Sequence, residues 1–348
     1  MKTTFPRSAA GEPAPGRLTR RTALGFAGAG FVLGHWIVGA KVRRGRILAH
    51  WPGAREPGHV NSGQDLRPGD VRLLAVGDIG SEGPTRTLVV AALSAYQAQQ
   101  PAGAVLLLGD NFYPDGVASV EDEQWRSKFE LLFPAALFPI PFLACLGNHD
   151  HNGNADAQVE YTRKSTRWHM PAPFYSRSVA LENGAQAELF VLDTQRLWKD
   201  HSDRSPQLQW LDEALARSQA RWKIVLGHHC VRSGGEHGER GILAEIAARL
   251  ESRFERHGVD LYLSGHDHDL QLLRTEAGWM QVVSGAGSVL RDTGWTPDTL
   301  FADATPGFVA LVLRAEELRI EFHAAGDGLV HAHTLRAQAP ALATVMPG

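Results

Sequence analysis

Five times along this chain a short, unbroken apolar run ends in glycine followed by a polar side chain. It does so at Leu73-Leu74-Ala75-Val76-Gly77-Asp78, Val105-Leu106-Leu107-Leu108-Gly109-Asp110 and Phe142-Leu143-Ala144-Cys145-Leu146-Gly147-Asn148. Two more follow at Ile224-Val225-Leu226-Gly227-His228 and Leu261-Tyr262-Leu263-Ser264-Gly265-His266. Runs this short and this continuously apolar, bounded by Gly, are the pattern of strands buried on both faces. Helical spacing fills the intervals at 85–100, 123–133, 207–219 and 241–257. The third of these aligns Leu208, Leu211 and Leu215, and the fourth Leu243, Ala247, Leu250 and Phe254. Strands alternating with helices predict an α/β fold whose strands deliver polar residues at their carboxyl ends, where open α/β sheets place their chemistry. Glycine before each polar residue permits a sharp turn and a close backbone approach to something bound.

The residues so delivered are Asp78, Asp110, Asn148, His228 and the His266/His268 pair of Gly265-His266-Asp267-His268. Singly, each reads as a turn, a cap or a core histidine. Together they form a hard-to-borderline donor set suited to transition metals rather than calcium. Cys145 and Cys230 are the only cysteines, too few for a thiolate zinc site, an iron–sulfur cluster or a disulfide framework. Along an extended segment His266 and His268 project to one side and can reach a common centre. A pair of cations about 3.5–4 Å apart needs a shared ligand with two donor atoms, and the Asp110 carboxylate is the candidate. Tyr113 follows three residues later, one turn on, either packing under the loop or facing the same cation as a phenolate. In the second case its hard anionic oxygen favours Fe(III) beside a divalent metal. Three anionic ligands then leave the centre positive even with a hydroxide bound, so it attracts a phosphate dianion. The surroundings are acidic: residues 1–46 carry nine Lys/Arg and one Glu, leaving 26 Lys/Arg against 37 Asp/Glu beyond them. That balance excludes a broad nucleic-acid-binding surface.

Before the first strand stands a different kind of segment. Thr19-Arg20-Arg21-Thr22 precedes an eighteen-residue, Gly- and Ala-rich apolar run at 23–40, which resembles a twin-arginine export signal. An ordinary membrane anchor is the alternative, since eighteen residues just span a bilayer core. Val38-Gly39-Ala40 offers a cleavage site, and Lys41, Arg43, Arg44 and Arg46 follow it directly. The expected organisation is therefore a signal or anchor at 1–40, a Pro/Gly-rich linker at 41–69, a catalytic domain at 70–336 and a tail at 337–348. The expected partner is the twin-arginine machinery, which carries folded cargo, and the expected location is periplasmic or secreted, with anchoring through 23–40 as the other outcome.

In order and in residue type, the five blocks resemble those of the purple acid phosphatases of the binuclear metallophosphoesterase superfamily. Similarity to the short, tartrate-resistant type extends over 71–289. The resemblance implies a βαβ sandwich of two packed mixed sheets flanked by helices, with metals at the carboxyl ends of the strands. By it, Asp78, Asp110, Tyr113 and His268 bind Fe(III), and Asp110, Asn148, His228 and His266 bind the divalent metal, Fe, Zn or Mn. His149 and His237 flank the substrate and assist the leaving group, although His237 alone, in its Gly-rich loop, also reads as a solvated residue. Asp150 orients a histidine. The implied reaction is attack of a metal-bound hydroxide on small phosphate monoesters or phosphorylated peptides, with an acidic pH optimum.

Two departures stand out. His229-Cys230 replace the Tyr-Pro that follows the ligand histidine in the mammalian form, making His229 either an added substrate contact or a hydrogen-bonding residue behind the ligands, and setting a thiol beside the metal wall. The segment after Asp193 is shorter than the mammalian lid, so regulation by cutting that lid is not expected. Cys145 reads as an inert core thiol. Rival readings are a phosphodiesterase or nucleotide hydrolase on the same metals, and a non-hydrolytic metal- or phosphate-binding or redox protein.

Overall fold

The structure, a computed structural model, describes residues 69–200, 205–238 and 241–337 together with Arg67 and Ser202. The signal or anchor at 1–40, nearly all of the 41–69 linker and the tail beyond residue 337 lie outside the described residues. Two seven-stranded mixed sheets carry the chain. In the first, β1 (Val71–Val76), β2 (Ala104–Leu108), β3 (Phe142–Cys145) and β4 (Trp168–His169) run parallel. Three antiparallel strands, β12 (Gly307–Leu313), β13 (Glu317–Ala324) and β14 (Gly328–Arg336), extend it beyond β1. The second sheet has the order β11-β9-β10-β8-β7-β6-β5. Its members are β5 (Tyr175–Ala180), β6 (Gln186–Val191), β7 (Trp222–Leu226), β8 (Leu261–Ser264), β9 (Leu270–Arg274), β10 (Met280–Ser284) and β11 (Thr299–Asp303). Within it β6, β7, β8 and β10 are parallel.

Alternation along the second sheet explains the layering. Leu189, Val191, Ile224, Leu226, Leu261 and Leu263 pack with Leu73, Ala75, Leu106 and Leu311 in one core between the sheets. Phe190, Val225 and Tyr262 point the other way, onto α4 (Pro206–Arg217) and α5 (Ile242–His257). Helix α4 buries the expected Leu208, Leu211 and Leu215, and α5 buries Leu243, Leu250 and Phe254. Ile246 takes the position expected for Ala247, which is only partly buried. The first sheet is covered by α1 (Pro84–Gln99), which places Pro in its first turn, where no N–H is needed. The short helices α2 (Ala155–Tyr161) and α3 (Thr194–Lys199) each start at a side-chain cap, Asn154 and Asp193.

One expected helix differs. Residues 123–133 form a single α-turn, Glu123–Trp125, and then a π-turn, Arg126–Glu130, closed by the Leu131 N–H donating to the Arg126 carbonyl. The reason lies in packing: Trp125, Phe129 and Phe133 recur every fourth residue, a spacing an α-helix also serves, and their tertiary partners select the wider turn. All three are buried, with Trp125 stacked on Tyr161 at 3.6 Å and Phe129 edge-on to Phe142 at 5.1 Å.

Asp260, immediately before β8, accepts the Lys223 N–H at 2.8 Å, and burial pushes its carboxyl up to about 6. Because the folded value is raised, ionisation of this group costs nothing below the ordinary carboxylate range and its full penalty appears above pH 6. Asp260→Asn keeps an acceptor for Lys223 and removes the charge. It is expected to stabilise the fold by about 2–3 kcal/mol at pH 8, raising Tm by about 5 °C, and to do little at pH 4. Thermal melts at the two pH values check this; equal shifts at both would contradict it.

Candidate metal centre

The two sheets meet at the carboxyl ends of their central strands. The Gly77 N–H donates to the Ser284 carbonyl at 2.7 Å, and the His266 N–H to Asp78 Oδ2 at 2.9 Å. At Gly265 a Cβ would fall 2.4 Å from Asp78 Oδ2, and at Gly109, with φ +85°, 2.6 Å from His228 Nδ1. Only glycine fits these junctions. The following residues are strained as well: Asp78, Asp110 and His266 have φ of +57°, +51° and +68°, a conformation that costs a non-glycine residue about 1–2 kcal/mol. Such outliers persist where the surroundings over-determine them, typically at functional sites. The turn at His266 also revises the expectation of an extended segment: His266 and His268 converge through a left-handed residue, not through strand alternation.

Two groups of donor atoms result. In the first, Tyr113 Oη lies 2.7 Å from Asp110 Oδ2, 3.1 Å from Asp78 Oδ1 and 3.5 Å from His268 Nε2, while His268 Nε2 is 3.3 Å from Asp78 Oδ1. A phenol has one hydrogen to offer two carboxylates. Tyr113 reaches this place from a bend, not from a helical turn. In the second group, His228 Nε2 lies 3.0 Å from Asn148 Oδ1, 3.3 Å from His266 Nδ1 and 3.5 Å from Asp110 Oδ2. Asp110 Oδ2 is common to both. The carboxylate does not divide its oxygens between the groups as its two-donor chemistry suggested, because Oδ1 is taken by the His149 N–H at 2.9 Å.

The donor chemistry fits cations. His228 Nδ1 meets the Leu108 carbonyl at 2.9 Å, where it acts as donor, so Nε2 presents a lone pair to the Asn148 oxygen. Two acceptors at 3.0 Å call for a cation or a proton between them. Burial alone would lower the His228 imidazole, but Asp110 and Asp78 hold it above its ordinary value; a proton and a metal compete for the same lone pair. Burial and the surrounding imidazoles of His229, His228, His237 and His268 drive His266 well below the usual histidine range, leaving it neutral. Buried atoms His266 Nε2 and His268 Nδ1 have no partner among the described residues. Burial and the carboxylates of Asp78 and Asp110 push the Tyr113 phenol far above its ordinary value, so it keeps its proton unless a strong cation displaces it.

The remaining expected residues divide. His149 is half-buried, its Nδ1 on the Pro114 carbonyl at 2.5 Å and its ring 4.2 Å from that of Tyr113, which leaves Nε2 for chemistry. His237 stacks on His266 at 4.2 Å. Asp150 hydrogen-bonds no histidine among the described residues. Its carboxylate instead accepts the N–H groups of Asn111, Phe112 and Gly147 at 2.8–3.2 Å and the Gln158 amide at 2.9 Å, tying the two ligand loops together. His229 is fully buried behind His266, with Nδ1 on Thr194 Oγ1 at 2.8 Å, and has no surface with which to touch a substrate. Cys230 is equally buried, its thiol on the Gly265 carbonyl at 3.2 Å, so it does not line the wall. Both cysteines are free.

The residue that holds one of the two substrate histidines expected from the sequence is Asp267. Its Oδ1 faces His237 Nδ1 at 2.5 Å and accepts the His237 N–H at 3.2 Å, while Oδ2 accepts the Ser233 hydroxyl. Its position between His266 and His268 placed it beside the centre in the sequence, but nothing there tied it to His237. Arg291, with Nη1 3.2 Å from His237 Nε2, carried no sequence signal at all.

Residues 71–270 match the calcineurin-like phosphoesterase family. The chain belongs to that family. Among its relatives, this phosphoesterase is 36% identical to tartrate-resistant acid phosphatase type 5 of Oryctolagus cuniculus over 242 residues, covering 63% of this chain and 74% of that one. It is 28% identical to purple acid phosphatase 7 of Arabidopsis thaliana over 293 residues, covering 77% and 86%. A purple acid phosphatase from yellow lupin seeds superimposes with a TM-score of 0.62 at 18% identity, over 78% of this chain and 54% of that one, a likeness of fold. This phosphoesterase is of the purple acid phosphatase type, with the two mixed sheets and flanking helices of that fold.

Proposed function

We propose that this phosphoesterase is an exported acid phosphatase hydrolysing phosphate monoesters at a binuclear centre. Fe(III) is held by Asp78, Asp110, Tyr113 and His268, and a divalent metal, Fe, Zn or Mn, by Asp110, Asn148, His228 and His266. The supporting observation is the single oxygen, Asp110 Oδ2, that faces both donor groups. When bound, the cations supply Lewis-acid activation of solvent and neutralise charge on the phosphoryl oxygens. The chain's own part lies in positioning and proton transfer. Asp267 holds the Nδ1 edge of His237, so that Nε2 donates a proton to the leaving oxygen. Pro114 does the same for His149, turning its Nε2 to the phosphoryl group. Asp150 keeps the two ligand loops in register.

Export belongs to the same reading and rests on Arg20-Arg21 and the apolar run at 23–40, followed by a linker to residue 69 and a catalytic domain at 70–336. No helix among the described residues is long and apolar enough to cross a membrane.

Elemental analysis of purified protein together with its visible spectrum tests the centre. About two metals per chain, one of them iron, are expected, with a visible phenolate-to-iron band. Tyr113→Phe is expected to lose that band while melting at a temperature near the parent's. An unchanged band removes Tyr113 from the ligands, and p-nitrophenyl phosphate turned over more slowly than bis(p-nitrophenyl) phosphate would favour a diesterase.

A further inference from the structure

Beyond β10 the chain returns to the mouth of the centre and sets Arg291 there. Its N–H donates to the His268 carbonyl at 3.1 Å, which ties its backbone to the ligand turn. Its Nη1 stands 3.2 Å from His237 Nε2, and its Nε 3.4 Å from Glu236 Oε2. About a third of the Arg291 side chain and more than half of that of Glu236 are exposed. An ion pair so exposed is weak, and a guanidinium exchanges such a partner readily for an anion that offers two oxygens to its planar fork.

Its position decides which part of a substrate it meets. His237 Nδ1 is committed to Asp267, so Nε2 is the ring nitrogen that faces the leaving oxygen. Arg291 touches that same nitrogen, which accepts from the guanidinium here; when Nε2 carries the proton for the leaving oxygen it no longer holds the guanidinium, which then stands free beside it, on the alcohol side of the ester. The chain beyond residue 46 carries 26 Lys/Arg against 37 Asp/Glu, a field that repels an anionic leaving group unless a cation stands beside it. We infer that Arg291 is a specificity-determining residue that pairs with a second anionic group on the leaving alcohol. The preferred substrates are then small monoesters whose leaving group carries a carboxylate or a further phosphate a few bonds from the scissile oxygen. This rests on the phosphatase reading above, with His237 at the leaving oxygen.

The test compares 3-phosphoglycerate and glycerol 1,3-bisphosphate with glycerol 3-phosphate, which lacks the second anion, on the metal-loaded full chain. The parent protein is expected to favour at least one anionic substrate by about tenfold or more in kcat/KM, and the one favoured tells carboxylate from phosphate. Arg291→Gln is expected to cut that preference by about 10- to 100-fold, the scale of one charge-assisted hydrogen-bonded pair, chiefly through KM. Arg291→Lys, which keeps the charge without the fork, is expected to retain part of it. No preference in the parent, or equal losses on all three substrates, overturns the inference, since equal losses place Arg291 on the scissile phosphoryl group. Failure of the underlying reading looks different: no turnover of any monoester, or a His237→Ala protein as fast as the parent on glycerol 3-phosphate, overturns both.

Discussion

Asp110→Ala is expected to lose about 10⁴-fold or more in kcat/KM for phosphate monoesters and to retain no more than one metal per chain. Three features of one side chain converge on this outcome. Oδ2 faces both donor groups, 2.7 Å from Tyr113 Oη and 3.5 Å from His228 Nε2. Oδ1 fixes the backbone of the Asn148–His149 loop through the His149 N–H. The residue is buried and held at φ +51°, so alanine inherits the backbone strain without any of the contacts. Elemental analysis and p-nitrophenyl phosphate turnover measure the two losses, and circular dichroism confirms that the fold persists. Full activity with two metals bound would remove Asp110 from the shared position.

Asp267→Asn is expected to lower kcat by about 10²- to 10³-fold on an alkyl ester such as β-glycerophosphate, but by less than about tenfold on p-nitrophenyl phosphate. The amide cannot satisfy its surroundings in either orientation. With its nitrogen toward His237 it confronts the Nδ1 hydrogen. With its nitrogen toward Ser233 it meets a hydroxyl oxygen that already accepts the Gly235 N–H at 2.9 Å and the Gln271 amide at 3.0 Å. The imidazolium that gives up the proton loses its carboxylate either way. General-acid catalysis matters most when the leaving group is poor, which makes the alkyl-to-aryl contrast the diagnostic readout. A His237→Ala, Asp267→Asn double variant is expected to be scarcely slower than His237→Ala, because the two residues act as one unit. Equal losses on both esters would instead assign Asp267 to holding the loop.

Much of the core was readable from apolar runs because a strand buried on both faces announces itself within five or six residues. β1, β2, β3, β7 and β8 coincide with the five runs to within a few residues. The 123–133 segment was misread because aromatic spacing of four looks helical in sequence, and only packing against Phe142 and Tyr161 selects the π-turn. Around the centre, donor type was legible while assignment of supporting roles was not. Asp150 and Asp267 are both buried aspartates beside ligand residues, yet one binds backbone N–H groups and the other a histidine.

By itself, then, the sequence determined the five strands that carry the site, the residue types at their ends and the demand for glycine before them, since each of these is set by chemistry within a single turn or strand. Tertiary structure alone decided that one oxygen of Asp110 faces both groups, that Asp267 rather than Asp150 holds a histidine, and that Arg291 stands at His237. Those pairings join Asp267 to His237, Arg291 to His237 and Asp110 to His228, residues 30, 54 and 118 positions apart, and they exist only where loops from both sheets close on the same small volume.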